Sequence, residues 1–140
     1  MAFMGTTEPP RRGAIRRWDL YWVDLEPVVG SEQGGSRRLG LVLSNDAFNE
    51  HFPIVTVIPL TGIQNKRRRV YPFEVILDRG SAGNPQDSIA MPHQIRTISK
   101  TRLGARIGGL RDPDVRARIE ARLLDHLGIE SEFAANESDS

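Results

Sequence analysis

The sequence contains no cysteine, only two lysines and three histidines, and few aromatic residues. The absence of cysteine excludes a disulfide framework and a thiolate metal site, and it fits a reducing compartment. A metal would have to be held by carboxylates and those three histidines. Also missing is any run near the roughly 18 apolar residues that a membrane-spanning helix needs. The opening segment MAFMGTTEPPRRG lacks the apolar stretch of a secretory signal. These absences predict a cytoplasmic protein with no membrane association. At 140 residues there is room for one domain and its tails, not for two substantial cores.

What is abundant is arginine. Seventeen of the 19 basic residues are arginine, whose planar fork suits bidentate phosphate contact and base stacking. A G+C-rich genome enriches arginine codons as well, so content alone selects no partner. The distribution says more. Residues 1–111 carry 16 basic and 10 acidic side chains, whereas residues 112–140 carry 3 and 8. A body of about +6 is joined to a C-terminal segment of about −5, which points to a polyanionic partner for the body.

Residues 1–13, with Pro9-Pro10 and few apolar anchors, are expected to be disordered, and residues 130–140 to form a mobile acidic tail, leaving a domain at 14–129. Aromatic and β-branched residues from Trp18 to Leu25 predict a first strand, stopped near Pro27, and LGLVLSN predicts a second. Asn45 to Asn49 reads as a turn or short helical loop, with Phe48 as a candidate plug and His51 at its end. Ile54 to Leu60 is a short, nearly continuous apolar run, hence a buried strand, with one ladder hydrogen bond missing at Pro59. Val70 to Leu77 predicts a fourth strand, and Arg79 to Pro85 is turn chemistry. Ser88 to Pro92 and Gln94 to Ile98 make one interrupted strand or two short ones, broken at Pro92-His93, and another strand centres on Arg106-Ile107. Six or seven short strands without intervening helices predict a mainly β domain, a small barrel or sandwich.

One helix closes the domain. Asp112 caps it, Pro113 suits its first position, Asp114 favours the positive end of its dipole, and Gly128 ends it. Val115, Ile119, Leu123, Leu124 and Leu127 form one apolar stripe, which packs on the barrel or on a second copy.

The reactive-looking groups cluster between the first two strands. The loop Val28 to Ser36 holds Gly30, Gly34 and Gly35, which permit positive φ and close backbone approach, with Ser31, Glu32 and Gln33 between them and Arg37-Arg38 at the exit. Such a loop can bind a phosphate and move a proton; it can equally be a hairpin loop with solvated charges. Residue types alone leave both readings open. The same holds for Lys66, Arg67, Arg68 and Arg69, which are either a solvated loop or one wall of a nucleic-acid groove.

Taken together, Trp22-Val23-Asp24-Leu25-Glu26-Pro27, Gly30-Ser31-Glu32-Gln33-Gly34-Gly35, Ser44-Asn45-Asp46, Pro59-Leu60-Thr61, Tyr71-Pro72-Phe73-Glu74-Val75 and Gln94-Ile95-Arg96-Thr97-Ile98 resemble the MazF/PemK family of toxin endoribonucleases, in the family's order, over residues 16–127. The resemblance implies an SH3-like β-barrel of the kind shared with Kid and CcdB, closed by a C-terminal α-helix and acting as a homodimer. It implies cleavage of single-stranded RNA at short motifs without metal or other cofactor. It also implies inhibition by a MazE-like antitoxin that lays an acidic, disordered tail over the dimer groove. In this chemistry a ribose 2′-OH attacks the adjacent phosphorus, so the site must hold the phosphate, stabilise negative charge and assist proton movement.

The resemblance assigns that work to an arginine after the glycine-rich loop and a Thr or Ser after the third strand. Thr61 matches the second. The arginine is ambiguous because the loop is one residue longer than the family pattern and Leu39 stands where proline usually follows. Counting forward from Gly34-Gly35 selects Arg37; counting back from Ser44-Asn45-Asp46 selects Arg38, the preferred choice because strand register slips less readily than a loop. Glu32 aligns with a loop carboxylate that serves as general base, orients the arginine or braces the loop. His93 stands where Kid-like members place an acid, and it has either an acid–base role or a structural one. Ser31, Gln33, Gln94, Arg96 and the 66–69 basic run are candidate RNA contacts, with Gln33, Gln94 and Arg96 supporting the loop or the RNA. Two other classes stand beside this reading: a CcdB-like toxin that inhibits a protein target, and a catalytically silent RNA-binding barrel.

Overall fold

The computed structural model describes residues 14–63 and 69–130. The expectations for residues 1–13, for Lys66, Arg67 and Arg68, and for the tail beyond Glu130 therefore lie outside the described residues. In chain order the elements are β1 (Asp19–Val23), β2 (Arg38–Val42), α1 (Asp46–His51), β3 (Ile54–Gly62), β4 (Val75–Leu77), β5 (Ser88–Ala90), β6 (Arg96–Ser99), β7 (Leu103–Gly109) and α2 (Pro113–Leu127). All strand pairings are antiparallel, and the path runs β4-β5-β3-β2-β1-β7 with β6 on the other half of β3.

The apolar runs of β1 to β3 are continuous rather than alternating because both faces of these strands are covered. Leu20, Leu39, Leu41, Ile58 and Leu60 point into one core with Leu77, Ala90, Leu110 and the α2 residues Val115 and Ile119. Tyr21, Val23, Val42, Val55 and Val57, at the alternate positions, point into a second with Leu25, Ile98 and Leu103. Gly40 is required here: a Cβ would sit 2.6 Å from a methyl of Val23.

The barrel is closed by contact rather than by strand pairing. No ladder joins the terminal strands β4 and β7. Instead the turn after β4 lies backbone to backbone on β7, so that a Cβ at Gly108 would come within 2.2 Å of the Ala82 carbonyl oxygen and one at Gly83 within 2.4 Å of that of Ile107.

Helix α2 begins and ends where its caps require. The Asp112 carboxylate accepts from the Asp114 N–H, Pro113 opens the helix, and Gly128 adopts φ 67° while its N–H donates to the Asp125 and Leu124 carbonyls. Val115 and Ile119 are buried, but Leu127, expected on the same stripe, is 54% exposed. The Pro92-His93 break is a 3₁₀ turn, Pro92–Gln94, that separates β5 from β6.

Three expectations need correction. The fourth strand is confined to Val75–Leu77, because Tyr71 to Glu74 form a turn: the Glu74 N–H donates to the Tyr71 carbonyl at 2.9 Å, and the Glu74 carboxylate accepts the Tyr71 N–H at 3.0 Å. The first strand begins at Asp19 rather than Trp18, whose φ of 75° cannot continue a ladder. The plug at α1 is Asn49, not Phe48. Asn49 is buried and hydrogen-bonds the Ser44 carbonyl and hydroxyl, whereas Phe48 stacks on Phe52 near the surface.

Candidate active site

Strand register decides which arginine meets Thr61. Leu39 pairs with Leu60 and Gly40 with Pro59, so one step further along the ladder Arg38 stands opposite Thr61. Both side chains then leave the same face of the sheet. Nη1 of Arg38 donates to Oγ1 of Thr61 at 3.4 Å, and Nε donates to the Gly34 carbonyl at 2.7 Å. The Gln33 carboxamide, turned so that its oxygen faces the arginine, accepts from Nε and Nη2 at 3.1 Å each. Gly35 makes room for this arrangement: its φ is 128°, and a Cβ there would lie 2.8 Å from Cγ and Nε of Arg38.

Arg37, one residue earlier, projects to the opposite face, where its guanidinium lies over the Trp22 ring at 4.6 Å. Trp22 pairs with Leu39 in the ladder, so Arg37 is its diagonal neighbour on that face. Around the strand ends is a cleft of about 330 Å³, lined by Trp22, Arg37, Arg38, Leu39, Leu60, Thr61, Gly62, Pro85, Gln86 and Ser88. Among the described residues, no carboxylate pairs with Arg37 or Arg38.

The glycine-rich loop is held from three sides. The Glu32 carboxylate accepts the Val29 N–H at 2.7 Å, bracing its own turn rather than reaching Arg38. The Gln94 side chain accepts the Gln33 N–H at 3.2 Å and donates to the Ser31 carbonyl at 3.5 Å. Arg96 donates to the Leu25 carbonyl at 3.2 Å, and Arg102 to the carbonyls of Asp24, at 3.2 Å, and Glu26. Gln94 thus supports the loop, and Arg96 the strand end that leads into it. Ser31 is exposed at its tip. His93 lies away on the α2 side, edge-on to Phe73 with ring centroids 4.5 Å apart and 6.4 Å from the His126 ring. Arg69 lies over the exposed Tyr71 ring at 5.5 Å.

Three residues at the site were not singled out from sequence. Glu26 is the carboxylate nearest the arginine's glycines, accepting the Gly35 N–H at 2.8 Å. Its signal was faint: an acid before proline reads as a strand stop. Trp22 reads only as part of the first strand, and Gln86 falls between the Arg79–Pro85 turn and the strand at Ser88. Only the meeting of β1, β3 and the turn before β5 brings Trp22 and Gln86 to one cleft.

The fold and this loop define a small antiparallel barrel that carries a basic, glycine-rich loop at one strand end. The family model for PemK-like, MazF-like toxins of type II toxin-antitoxin systems matches residues 16–127, and the chain belongs to that family. Endoribonuclease EndoA of Bacillus subtilis (strain 168) is 42% identical over 115 residues, which cover 82% of this chain and 96% of that protein. Among solved structures, MazF from Deinococcus radiodurans superposes with a TM-score of 0.72 at 28% identity, covering 84% of this chain and 100% of that one. The same fold occurs in an endoribonuclease from mycobacterial species solved with its cognate antitoxin, with a TM-score of 0.64 at 24% identity, covering 86% and 99%.

Proposed function

We infer that this chain is an endoribonuclease toxin that cuts single-stranded RNA at selected sequences, without metal, and that a MazE-like antitoxin restrains it. The observation that carries this reading is the Arg38–Thr61 pair: a guanidinium facing a cleft beside a hydroxyl, with no carboxylate among the described residues to neutralise it. An unneutralised guanidinium held by neutral acceptors keeps its full charge for a phosphate.

In the proposed step the ribose 2′-oxygen bonds to phosphorus as the bond from phosphorus to the 5′-oxygen breaks. The 2′-oxygen gives up its proton and the leaving 5′-oxygen takes one, leaving a 2′,3′-cyclic phosphate and a 5′-OH. Arg38 holds the non-bridging oxygens as charge builds on them. Thr61 accepts from Arg38, which directs its own proton toward the phosphate. Glu32 keeps the loop closed, and His93 anchors Phe73. The 66–69 run supplies cations for the RNA backbone.

The same cations, exposed Arg69 among them, and exposed Arg37 suit the acidic tail of an antitoxin. The apolar surface left by Tyr71, Phe73, Ile76, Leu127 and Ile129, each between 41% and 54% exposed, is assigned to a second copy in a homodimer. Light scattering at micromolar concentration tests that part, and a monomer would overturn it. Incubation with a long RNA, with and without EDTA, followed by mapping of the ends, tests the rest. Discrete cuts with 5′-OH ends that persist in EDTA are expected. Intact RNA bound tightly would make the chain a silent RNA-binding barrel, and cleavage abolished by EDTA would overturn the metal-free step.

A further inference from the structure

The cleft holds a polar group, the Gln86 side chain, that no part of the proposed chemistry uses. The Gln86 carboxamide lies directly over Gly62: a Cβ at Gly62 would come within 2.1 Å of its Nε2 and 2.8 Å of its Cδ. Gly62 is the residue after Thr61, and it pairs with Ser88 of β5. Gln86 is therefore placed beside the catalytic candidate by the β3–β5 ladder, and the bare Cα of Gly62 gives it the space. Its backbone carbonyl is engaged by Asn84 and Ser88. Among the described residues, its side-chain donor and acceptor make no hydrogen bond. Side chains alternate along β3, so Thr61 and the space over Gly62 belong to opposite faces of the strand end. The Trp22–Arg37 stack projects to the same face as that space and lines the same cleft.

Single-stranded RNA is read by stacking an unpaired base on an aromatic ring or guanidinium plane and hydrogen-bonding its edge. The Arg37 guanidinium over the Trp22 ring and a half-buried carboxamide, without a hydrogen bond among the described residues, face one cleft and supply both parts. We propose that Gln86 is a specificity-determining residue, reading the base next to the scissile phosphate while the Trp22–Arg37 stack supports that base. This rests on the endoribonuclease reading and adds to it the part of the site that selects sequence. A carboxamide offers one donor and one acceptor side by side, the pattern that matches adenine N7 and the N6 amino group. Adenine is the base expected at that position.

The test uses the full chain and a single-stranded RNA of randomised sequence, with 5′-OH ends mapped by sequencing. Wild type is expected to enrich adenine at one position flanking the cut. Gln86→Glu removes the donor and leaves acceptors, which suit the cytosine N4 amino group, so preference at that one position should move from adenine toward cytosine by roughly five- to 150-fold. Gln86→Leu should relax the same position, and the rest of the motif should persist in both variants. Melting curves that match wild type show that a changed motif is not a folding defect; Gln86 is half-exposed and its backbone bonds remain. An unchanged motif in Gln86→Glu, or a wild-type motif without adenine beside the cut, overturns the inference while leaving the endoribonuclease reading intact. If wild type cuts no RNA, that reading fails and the inference with it.

Discussion

Among the described residues two clefts present an arginine, and they differ in what holds its charge. The larger, about 720 Å³, is lined by Ala14, Arg16, Asp19, Tyr21, Gly104, Ala105 and Arg106. Its Arg106 donates to the buried carboxylate of Asp19 at 3.1 Å, which raises the arginine's pKa above its ordinary value, chiefly through that hydrogen bond. The other Asp19 oxygen accepts the Arg16 N–H at 3.0 Å. Among the described residues the Arg106 charge and both Asp19 oxygens are thereby engaged, so we read this cleft as structural despite its size. In the smaller cleft Arg38 is held by a carbonyl, a hydroxyl and a carboxamide, all neutral. What separates the two clefts is not volume but, among the described residues, the presence or absence of a counter-charge.

The sharpest way to break this comparison is to make the same substitution in both clefts. Arg38→Lys keeps the charge but loses the fork, and RNA cleavage should fall by roughly two or more orders of magnitude, as for loss of one oxyanion donor. Arg106→Lys should leave the cleavage rate within a few-fold. Full activity in Arg38→Lys together with a dead Arg37→Lys would put the working arginine on the Trp22 face and reverse the assignment.

Thr61 is the next largest. Thr61→Ala should cost about tenfold or more in kcat while leaving the melting temperature nearly unchanged, because a half-exposed hydroxyl at a strand end adds little to folding. Thr61→Ser should recover much of the rate, and equal loss in both variants would mean that the methyl group, not the hydroxyl, matters.

The structural cleft makes the converse prediction. Asp19→Asn removes the counter-charge of Arg106 and should lower stability by about 1–3 kcal/mol, read as an earlier denaturant midpoint, with cleavage retained. A large loss of activity at unchanged stability would show that the larger cleft serves function after all.

Glu32 separates a brace from a base. Glu32→Gln keeps an acceptor for the Val29 N–H and should retain most of the rate, with no change in its dependence on pH between 5 and 9. A collapse of activity or a lost acidic limb would make Glu32 the proton acceptor.

The smallest effect belongs to the basic run. Replacing Arg67, Arg68 and Arg69 with glutamine should weaken RNA and antitoxin together. It should flatten the salt dependence of RNA binding by a little under one unit of slope for every phosphate no longer neutralised, and leave the cleavage motif as it was. An unchanged slope would make the run ordinary solvated surface.

Much of this architecture was legible because it depends on near neighbours in the chain. The caps at Asp112, Pro113 and Gly128 act within one helical turn, and the run from Ile54 to Leu60 announces a strand covered on both faces. Glycines mark the loop at Gly30 and Gly35, where φ is 58° and 128°. The ordered motifs, from the Trp22–Pro27 strand end to Gln94–Ile98, announced the family. Where local reading failed, at Val70 to Glu74 and at Phe48, a side chain had captured backbone groups that propensity assigns to a ladder or leaves unaccounted for.

What the sequence could not decide is which charges meet. Arg37 and Arg38 differ by one position, and in a strand one position is the difference between two faces; only the pairing of Leu39 with Leu60 directs Arg38 to Thr61 and Arg37 to Trp22. Arg106 is neutralised by a carboxylate 87 residues away, so its composition-level equality with Arg38 disappears on folding. Gln86 faces the cleft because β5 lies beside β3 and Gly62 has no side chain. Helices, turns and strands follow from chemistry within a few residues. The site follows from strand register and long-range contact, which determine what each arginine faces.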